Sequence, residues 1–321
     1  MQRLLVTLVE GFALAGSNEA ASTLAAQAQA AVAKEAAQSA PVPVLPPLPE
    51  LFDCLREAGG VVVAAHRGGP APGYPENALE TLEYGFEAGI RVFEIDVAQS
   101  RDGVIFLHHD DRFGRTVAAE GYVSDTVWAE IAGRALKDNN GAVTGFYPPK
   151  LTDVLVWAKQ RGAILELDRK RTTDWRNLIE AVKAAGAQNN AILISYSDEE
   201  AGAIAKLDPA LMMTASIRDN RDLSRLEALG VDRTRVIGWT GTRQPDPSAF
   251  DQLLEQGVEP AFGTLGRKGA RLDDQYWLDG DGSEYQSLVD DGVVLIATDE
   301  PYRVAEWLDA DDAGWAACAA R

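Results

Sequence analysis

Imidazole and carboxylate side chains concentrate in one short window of the chain. All three histidines, His66, His108 and His109, lie there, and Glu94 and Asp96 sit between them inside an apolar run. Residues two apart in a β-strand share a face, so the two carboxylates point the same way. Burying such a pair is costly unless a cation or hydrogen bonds compensate. Salt bridges to lysine or arginine and a hard-metal site are both compatible with this pattern.

The same geometry recurs in the segment AILELDRK, where Glu166, Asp168 and Lys170 share one face of a candidate strand. Three carboxylates can hold one Mg²⁺ or Ca²⁺ ion. Arg67 and Lys170 add positive charge suited to a phosphate group, and two histidines can act as base and acid. With a divalent cation between them, this set of side chains suits cleavage of a phosphodiester.

The elements that must position these side chains begin near residue 60, where short apolar runs start to alternate with amphipathic segments. This alternation predicts a parallel sheet covered on both faces. The candidate strands are 61–66, 92–98, 104–109, 163–168, 191–197, 211–217, 235–240, 260–265 and 293–299. We expect a single-domain α/β fold, a (β/α)8 TIM barrel, in which 235–240 or 260–265 is an extra strand. A doubly wound open sheet is the alternative, but no Gly-rich phosphate fingerprint follows the first strand.

Polar residues fall at the ends of the first four candidate strands. Active sites of (β/α) barrels lie at the carboxyl ends of the strands. The strand-end residues are His66 on the first strand, Glu94 and Asp96 on the second, His109 on the third, and Asp168 with Lys170 on the fourth. Four consecutive strands that end in chemically competent residues favour a functional site over isolated structural hydrogen bonds.

The sequence resembles the glycerophosphodiester phosphodiesterase family, within the superfamily of phospholipase-C-like phosphodiesterase barrels. The resemblance rests on the order and spacing of His66-Arg67-Gly68, Pro75-Glu76-Asn77, Glu94-x-Asp96, Asp102-Gly103, and His109-Asp110 with Arg115-Thr116. The segment TDEP, from Thr298 to Pro301, is similar to the closing strand motif of that family. The resemblance covers residues 61–307, closely in the first half and loosely in the second.

The resemblance implies metal-dependent hydrolysis of glycerophosphodiesters to glycerol 3-phosphate and an alcohol. The attacking group would be a hydroxyl of the substrate's own glycerol, which gives a cyclic phosphate that water then opens. His66 and His109 would form the acid–base pair, and Arg67 would contact the phosphate. Glu94 and Asp96 would bind one divalent cation, either Mg²⁺ or Ca²⁺.

The fourth strand departs from the family pattern Glu-x-Lys, because the matching residues are Asp168-Arg169-Lys170. We expect Asp168 to be the third metal ligand and Lys170 to serve substrate binding, with Glu166 as the alternative ligand. The same triplet is similar to the Asp-x-Lys of sphingomyelinase D enzymes in the same superfamily. A lipid phosphodiesterase of the sphingomyelinase D or lysophospholipase D kind is therefore the alternative function, and a non-catalytic envelope binding protein is a further one.

Two smaller predictions come from the same motifs. The resemblance implies that Glu76 and Asn77 shape the loop beside the metal. His108 has no counterpart in the family motif, and adjacent strand residues face opposite sides, so we expect His108 to be structural.

The composition bounds the class of partner and the use of cysteine. Lys and Arg total 30 against 49 Asp and Glu, a formal net charge of −19, which disfavours binding of nucleic acid or anionic membranes. We expect a small-molecule phosphodiester or a lysophospholipid as substrate. Cys54 and Cys318 are too far apart in sequence for a disulfide framework or a zinc site. We expect two unrelated structural thiols, with a single bridge that holds the carboxyl terminus as the alternative.

The amino-terminal residues 1–59 are predicted to be an extension, and residues 60–321 the phosphodiesterase-like barrel. The extension starts with a basic residue and an apolar stretch that Glu10 interrupts, and Ser17 stands where a lipoprotein signal would have its cysteine. An Ala/Gln-rich and then Pro-rich linker follows. No stretch is long and apolar enough to span a bilayer. We expect export to the periplasm or cell envelope, with a cytoplasmic location as the alternative.

Overall fold

Nine strands form one sheet in the computed structural model, which describes residues 44–308 and 313–320. The strands are β1 (Val62–Ala65), β2 (Val92–Gln99), β3 (Ile105–Leu107), β4 (Ile164–Arg169), β5 (Ala191–Ser195), β6 (Met212–Ser216), β7 (Val236–Trp239), β8 (Glu259–Gly263) and β9 (Leu295–Thr298). β1 pairs in parallel with both β2 and β9. The other parallel pairings run from β2 to β4 and onward to β9, so eight strands close into the predicted (β/α)8 barrel. The alternative of an open doubly wound sheet is wrong, because the pairing of β1 with β2 closes the sheet.

The extra strand is β3, which pairs antiparallel with β2. The expectation that 235–240 or 260–265 would be the extra strand is wrong, because these runs contain the barrel strands β7 and β8. The physical reason lies in the connection: only residues 100–104 separate β2 from β3. Parallel neighbours need a crossover of a dozen or more residues, whereas antiparallel neighbours need only a short turn.

Helices cover the outer face of the barrel and close its ends. They are α1 (Leu48–Ala58), α2 (Leu79–Glu87), α3 (Trp128–Ile131), α4 (Leu151–Arg161), α5 (Trp175–Ala185), α6 (Asp198–Leu207), α7 (Asn220–Ala228), α8 (Pro247–Glu255), α9 (Leu272–Tyr276), α10 (Ser283–Asp290), α11 (Pro301–Leu308) and α12 (Ala313–Ala319). Four of them begin at a side chain that accepts a backbone N–H of the first turn, the usual N-cap arrangement. These caps are Asp174, Ser197, Asp219 and Asp246. No helix of the described residues is both long and apolar enough to traverse a membrane.

Two cores hold the barrel together. The larger one lies between the outward-facing strand residues and the surrounding helices, and it includes Phe93, Leu165 and Leu193. The second fills the amino-terminal end of the barrel, where Val92 and Ile164 join buried residues of α1. Apolar side chains fill most of that end, and its buried carboxylate, Glu259 at the start of β8, pairs with Arg56 of α1 at 2.9 Å.

Helices α1 and α12 lie side by side at the filled end, where Cys54 and Cys318 form a disulfide with a Cα–Cα distance of 5.7 Å. The expectation of two unrelated thiols is therefore wrong. The fold brings these cysteines together because both helices cover the same end of the barrel. The structure thus places α1 with the barrel, although it precedes the predicted domain boundary at residue 60. Residues 1–43 of the predicted extension lie outside the described residues.

Residues 100–150, between β2 and α4, form what we call the β2–α4 excursion. It contains β3, α3 and several isolated β-bridges. Its own small core contains Phe106, Phe113, Val117 and Leu136, all buried. This core also includes Ala78 and Ala98, so the excursion packs onto the barrel at the carboxyl end of β2, and it carries two of the three histidines.

Candidate active site

Three carboxylates converge at the carboxyl end of the barrel. Glu94 and Asp96 point inward from β2, and Asp168 points inward from β4, directly beside Asp96 in the strand register. One oxygen of each acid lies within 4.8 Å of the others, and all three side chains are buried. Burial, and then the adjacent Asp96, raise the pKa of Glu94 to about 8. A cation between the three acids would relieve this repulsion.

The oxygens of Asp96 fit a metal ligand. Its Oδ2 accepts a hydrogen bond of 2.6 Å from Asn77. Lys170 Nζ lies 2.5 Å from its Oδ1 and 2.5 Å from Asp168 Oδ2, so the ammonium group pairs with both carboxylates. Burial disfavours the Asp96 carboxylate, yet Lys170 and then His109 lower its pKa. Three clustered carboxylates suit Mg²⁺ or Ca²⁺, which prefer such ligands.

Glu166, the alternative third ligand, is occupied differently. Its Oε1 accepts a hydrogen bond of 2.9 Å from Thr214, and it lies outside the cluster that Glu94, Asp96 and Asp168 form. Burial raises its pKa to about 7, and Thr214 lowers it only in part. The geometry therefore favours Asp168 as the third ligand, and the ligand role itself stays a prediction.

His66 follows β1 and stands beside the acids. Its Nδ1 lies 2.6 Å from Asp299 Oδ1, and its Nε2 lies 3.9 Å from Glu94 Oε2. A carboxylate can only accept, so Asp299 holds the proton on Nδ1 and leaves Nε2 facing the acid cluster. Burial disfavours the imidazolium, but the hydrogen bond to Asp299 and the charge of Glu94 raise the pKa of His66 above its usual value.

Asp299 is itself held by a buried polar network. Its Oδ2 accepts from Arg271 at 2.9 Å and from the backbone N–H of Gly266 at 3.0 Å. Its own N–H donates to the fully buried Asp273, which also accepts from Thr298 at 2.7 Å. Sequence reasoning missed Asp299, Arg271 and Asp273 as site residues. The only signal was TDEP at the end of the last strand, which had been noted as a motif without a role.

His109 is supported in a parallel way from the β2–α4 excursion. Its Nδ1 lies 2.6 Å from Asp110 Oδ1, and Asp110 accepts a hydrogen bond of 2.7 Å from Arg115. Arg115 also makes a bidentate contact to Glu76, with both N···O distances at 2.7 Å. Glu76 pairs in turn with Arg67 at 3.2 Å. Each of the two candidate catalytic histidines therefore contacts an aspartate, and each of these aspartates pairs with an arginine.

The loop after β1 is shaped by two residues with left-handed backbone. Arg67 has φ 52° and Asn77 has φ 59°, a conformation that non-glycine residues adopt rarely. This backbone directs the Arg67 N–H to Glu94 Oε2 at 2.7 Å, while Asn77 donates to Asp96 and accepts its N–H. The role predicted for Asn77 in this loop thus corresponds to two hydrogen bonds that hold Asp96, a candidate metal ligand, in place.

His108 lies apart from this site. It is 2% exposed and packs between Phe106 and Phe113 in the core of the excursion. Its Nδ1 lies 3.5 Å from Thr116 Oγ1. This placement agrees with the structural role predicted for it.

Glu94, Asp168 and His66 line a cavity of about 280 Å³, which we call the inner pocket. Its walls also include Trp239 and Tyr196, whose hydroxyl donates to Asp168 at 3.0 Å. The strand-end position of Tyr196 was the signal for it, and sequence reasoning did not use that signal. The pocket is large enough for a small phosphodiester but is confined to the mouth of the barrel.

Comparison with known proteins agrees with this geometry. The model of the glycerophosphoryl diester phosphodiesterase family matches residues 66–236, more than half of the 321-residue chain. The chain belongs to this family. The matched range starts at His66 and contains every site residue predicted from the sequence, whereas Arg271 and Asp299 fall outside it.

Individual family members cover different parts of the chain. An uncharacterized Bacillus subtilis protein, YqiK, is 31% identical over 153 residues, 46% of this chain and 63% of its own length. A glycerophosphodiester phosphodiesterase of Bacillus altitudinis is 32% identical over 107 residues, 32% of this chain and 42% of its own length. The chain thus spans less than two thirds of both relatives. A crystal structure of a glycerophosphoryl diester phosphodiesterase from Parabacteroides distasonis has a TM-score of 0.71 at 26% identity, covering 83% of this chain and 92% of that one.

Proposed function

We propose that the chain hydrolyses glycerophosphodiesters to glycerol 3-phosphate and an alcohol, with one divalent cation at the acid cluster. The observation that carries this proposal is the cluster of three buried carboxylates, two of which line one pocket together with a histidine that an aspartate holds. Membership of the family and the names of its relatives support the same activity. The small inner pocket favours a small phosphodiester as substrate.

Glu94, Asp96 and Asp168 would hold the cation, either Mg²⁺ or Ca²⁺, which supplies Lewis-acid polarisation of the phosphoryl oxygens. Three carboxylates, a dication, Arg67 and Lys170 sum to a formal charge of about +1, which attracts an anionic diester and stabilises charge that grows on its oxygens.

Proton transfer in this proposal belongs to His66 and His109. One imidazole accepts the proton of the attacking glycerol hydroxyl, and the other donates a proton to the leaving alcohol oxygen. The P–O bond to the glycerol hydroxyl forms as the bond to the alcohol breaks, and water then opens the cyclic phosphate. Asp299 and Asp110 hold the tautomers in which both Nε2 atoms are free to act.

The test measures release of glycerol 3-phosphate from a panel of glycerophosphodiesters and release of the head-group alcohol from lysophospholipids, whose phosphate product keeps the acyl chain. We expect turnover of the diesters, loss of turnover in EDTA, and recovery with excess Mg²⁺ or Ca²⁺. Full activity in rigorously metal-stripped protein would contradict the cation. Preference for lysophospholipids would favour the lipid alternative. An analogue that lacks the neighbouring glycerol hydroxyl should bind and turn over very slowly, and its rapid hydrolysis would instead favour attack by water.

We also propose that the protein is exported to the periplasm or cell envelope. The disulfide between Cys54 and Cys318 supports this, because disulfides persist in oxidising compartments and are rare in the cytosol. Cell fractionation of the full chain, combined with thiol labelling of the protein in cells, tests the proposal. A protein found in the cytosolic fraction with both thiols reactive would contradict it.

A further inference from the structure

A second cavity of about 400 Å³, which we call the outer cleft, opens beside the inner pocket at the carboxyl ends of β5, β6 and β7. The two cavities adjoin each other, because Tyr196, Ser216 and Trp239 line both of them. The Trp239 ring is held in place from one side: a Cβ added at Gly263 would meet its Cη2 at 2.6 Å. The outer cleft is therefore the neighbouring space for an arm of a substrate bound at the acid cluster.

Both hydrogen-bond donors and hydrogen-bond acceptors line the outer cleft. Arg225 Nε donates to Asp198 at 3.0 Å, and its Nη2 contacts the buried Asp222. Arg218 Nε lies 3.3 Å from Asp222, and within the described part of the chain its two Nη atoms have no hydrogen-bond partner. The Arg218 side chain is 81% exposed, so these donors are open to the cleft. Two arginines and two aspartates leave this part of the wall with no net formal charge.

Hydroxyl groups complete the same wall. Ser197, Ser216 and Thr240 line the outer cleft between the charged pairs and the aromatic rings. A hydroxyl both donates and accepts hydrogen bonds, so it can pair with arginine donors and with carboxylate or serine acceptors. An apolar alcohol arm would leave these polar groups desolvated without partners, which costs free energy. A quaternary ammonium has neither a hydrogen-bond donor nor an acceptor, so it would also leave them without partners.

We propose that the outer cleft is the binding site for the leaving alcohol, and that this alcohol is a neutral polyol. The inference rests on the proposed function, because the attacking glycerol hydroxyl must lie in the inner pocket beside His66 and the acids. The other ester arm then extends into the adjoining outer cleft. Arg218 and Arg225 determine specificity through hydrogen bonds to the polyol hydroxyls and take no part in proton transfer.

The experiment compares kcat/KM for four substrates, with glycerol 3-phosphate release as the readout for the three glycerophosphodiesters and choline release as the readout for the lysophospholipid. They are glycerophosphoinositol with a polyol arm, glycerophosphoethanol with a minimal arm, glycerophosphocholine with a cationic arm, and lysophosphatidylcholine. We expect glycerophosphoinositol to exceed glycerophosphoethanol by about tenfold or more, the scale for hydroxyl groups that a site recognises. Arg218→Met and Arg225→Met should each reduce this ratio several-fold while turnover of glycerophosphoethanol continues.

Arg221→Met is the matched control. Arg221 lies on α7, pairs with Asp219 at 2.6 Å, and does not line the outer cleft, yet its loss changes the charge by the same amount. We expect the ratio in this variant to equal that of the wild type. Equal kcat/KM across the diesters, a preference for the choline or lipid substrate, or an unchanged ratio in Arg218→Met would overturn the inference. Hydrolysis of glycerophosphoethanol keeps the proposed function intact in those cases, whereas no glycerol 3-phosphate from any substrate would defeat the proposed function itself.

Discussion

Replacing Cys54 and Cys318 with serine removes the cross-link between the two helices at the filled end of the barrel. The bridge closes a loop with a sequence separation of 264 residues. The chain-entropy relation for a loop of that length gives a stabilisation of about 5–6 kcal/mol at 25 °C, an upper bound because it ignores structure in the unfolded chain. We expect a measured loss of about 3–5 kcal/mol, a large part of the stability of an ordinary domain.

Urea denaturation followed by tryptophan fluorescence measures the loss, and wild-type protein with excess reductant is the matched control. We expect the double variant and the reduced wild type to share a lowered midpoint. We expect kcat/KM of the folded variant to equal that of the wild type, because the bridge lies at the end of the barrel opposite the acid cluster. Coincident denaturation curves for oxidised and reduced protein would refute the loop-closure reasoning. Loss of activity in a folded variant would refute the placement.

Five further substitutions test the site. Asp299→Asn should lower kcat by about 10²–10⁴-fold with little change in KM, because His66 is no longer held in the tautomer that carries its proton on Nδ1. An unchanged kcat would show that Asp299 has no role in the site. His109→Ala should lose about a hundredfold or more in turnover. His108→Ala should lower the thermal midpoint and leave turnover nearly intact, and the reverse order would contradict the placement of both histidines. Asp168→Asn should raise the cation concentration for half-maximal activation far more than Glu166→Gln, as measured by metal titration; the opposite ranking would move the third ligand.

The barrel and most of the acid cluster could be predicted from the sequence, because both depend on local patterns. Alternating apolar runs and helices predict parallel strands, and the two-residue spacing in β2 predicts that Glu94 and Asp96 share a face. The choice between Asp168 and Glu166 could not be made locally, because both side chains point into the same interior. The hydrogen bond from Thr214 on β6 separates them, and that strand lies far along the chain.

Most of the features that sequence reasoning missed depend on contacts between distant segments. Asp299 follows β9 and contacts His66, which follows the neighbouring strand β1. The two cysteines meet only after the barrel has closed. The antiparallel strand β3 is the exception, since its short connection to β2 was visible in the sequence. The apolar composition of β3 is like that of a barrel strand, so only the short connection before it distinguishes the two kinds of strand.

The small core of the β2–α4 excursion bears on how the protein would lose activity under stress. Most residues of this core belong to the excursion. Arg115, which is partly exposed, joins the excursion to the loop after β1 through an ion pair with the buried Glu76. Small cores beside a large one open locally at lower free energy than the whole domain. Warming or mild denaturant would then displace His109 while the barrel is still folded. Inactivation would precede the main unfolding transition, and amide hydrogens of residues 100–150 would exchange with solvent before those of the barrel strands.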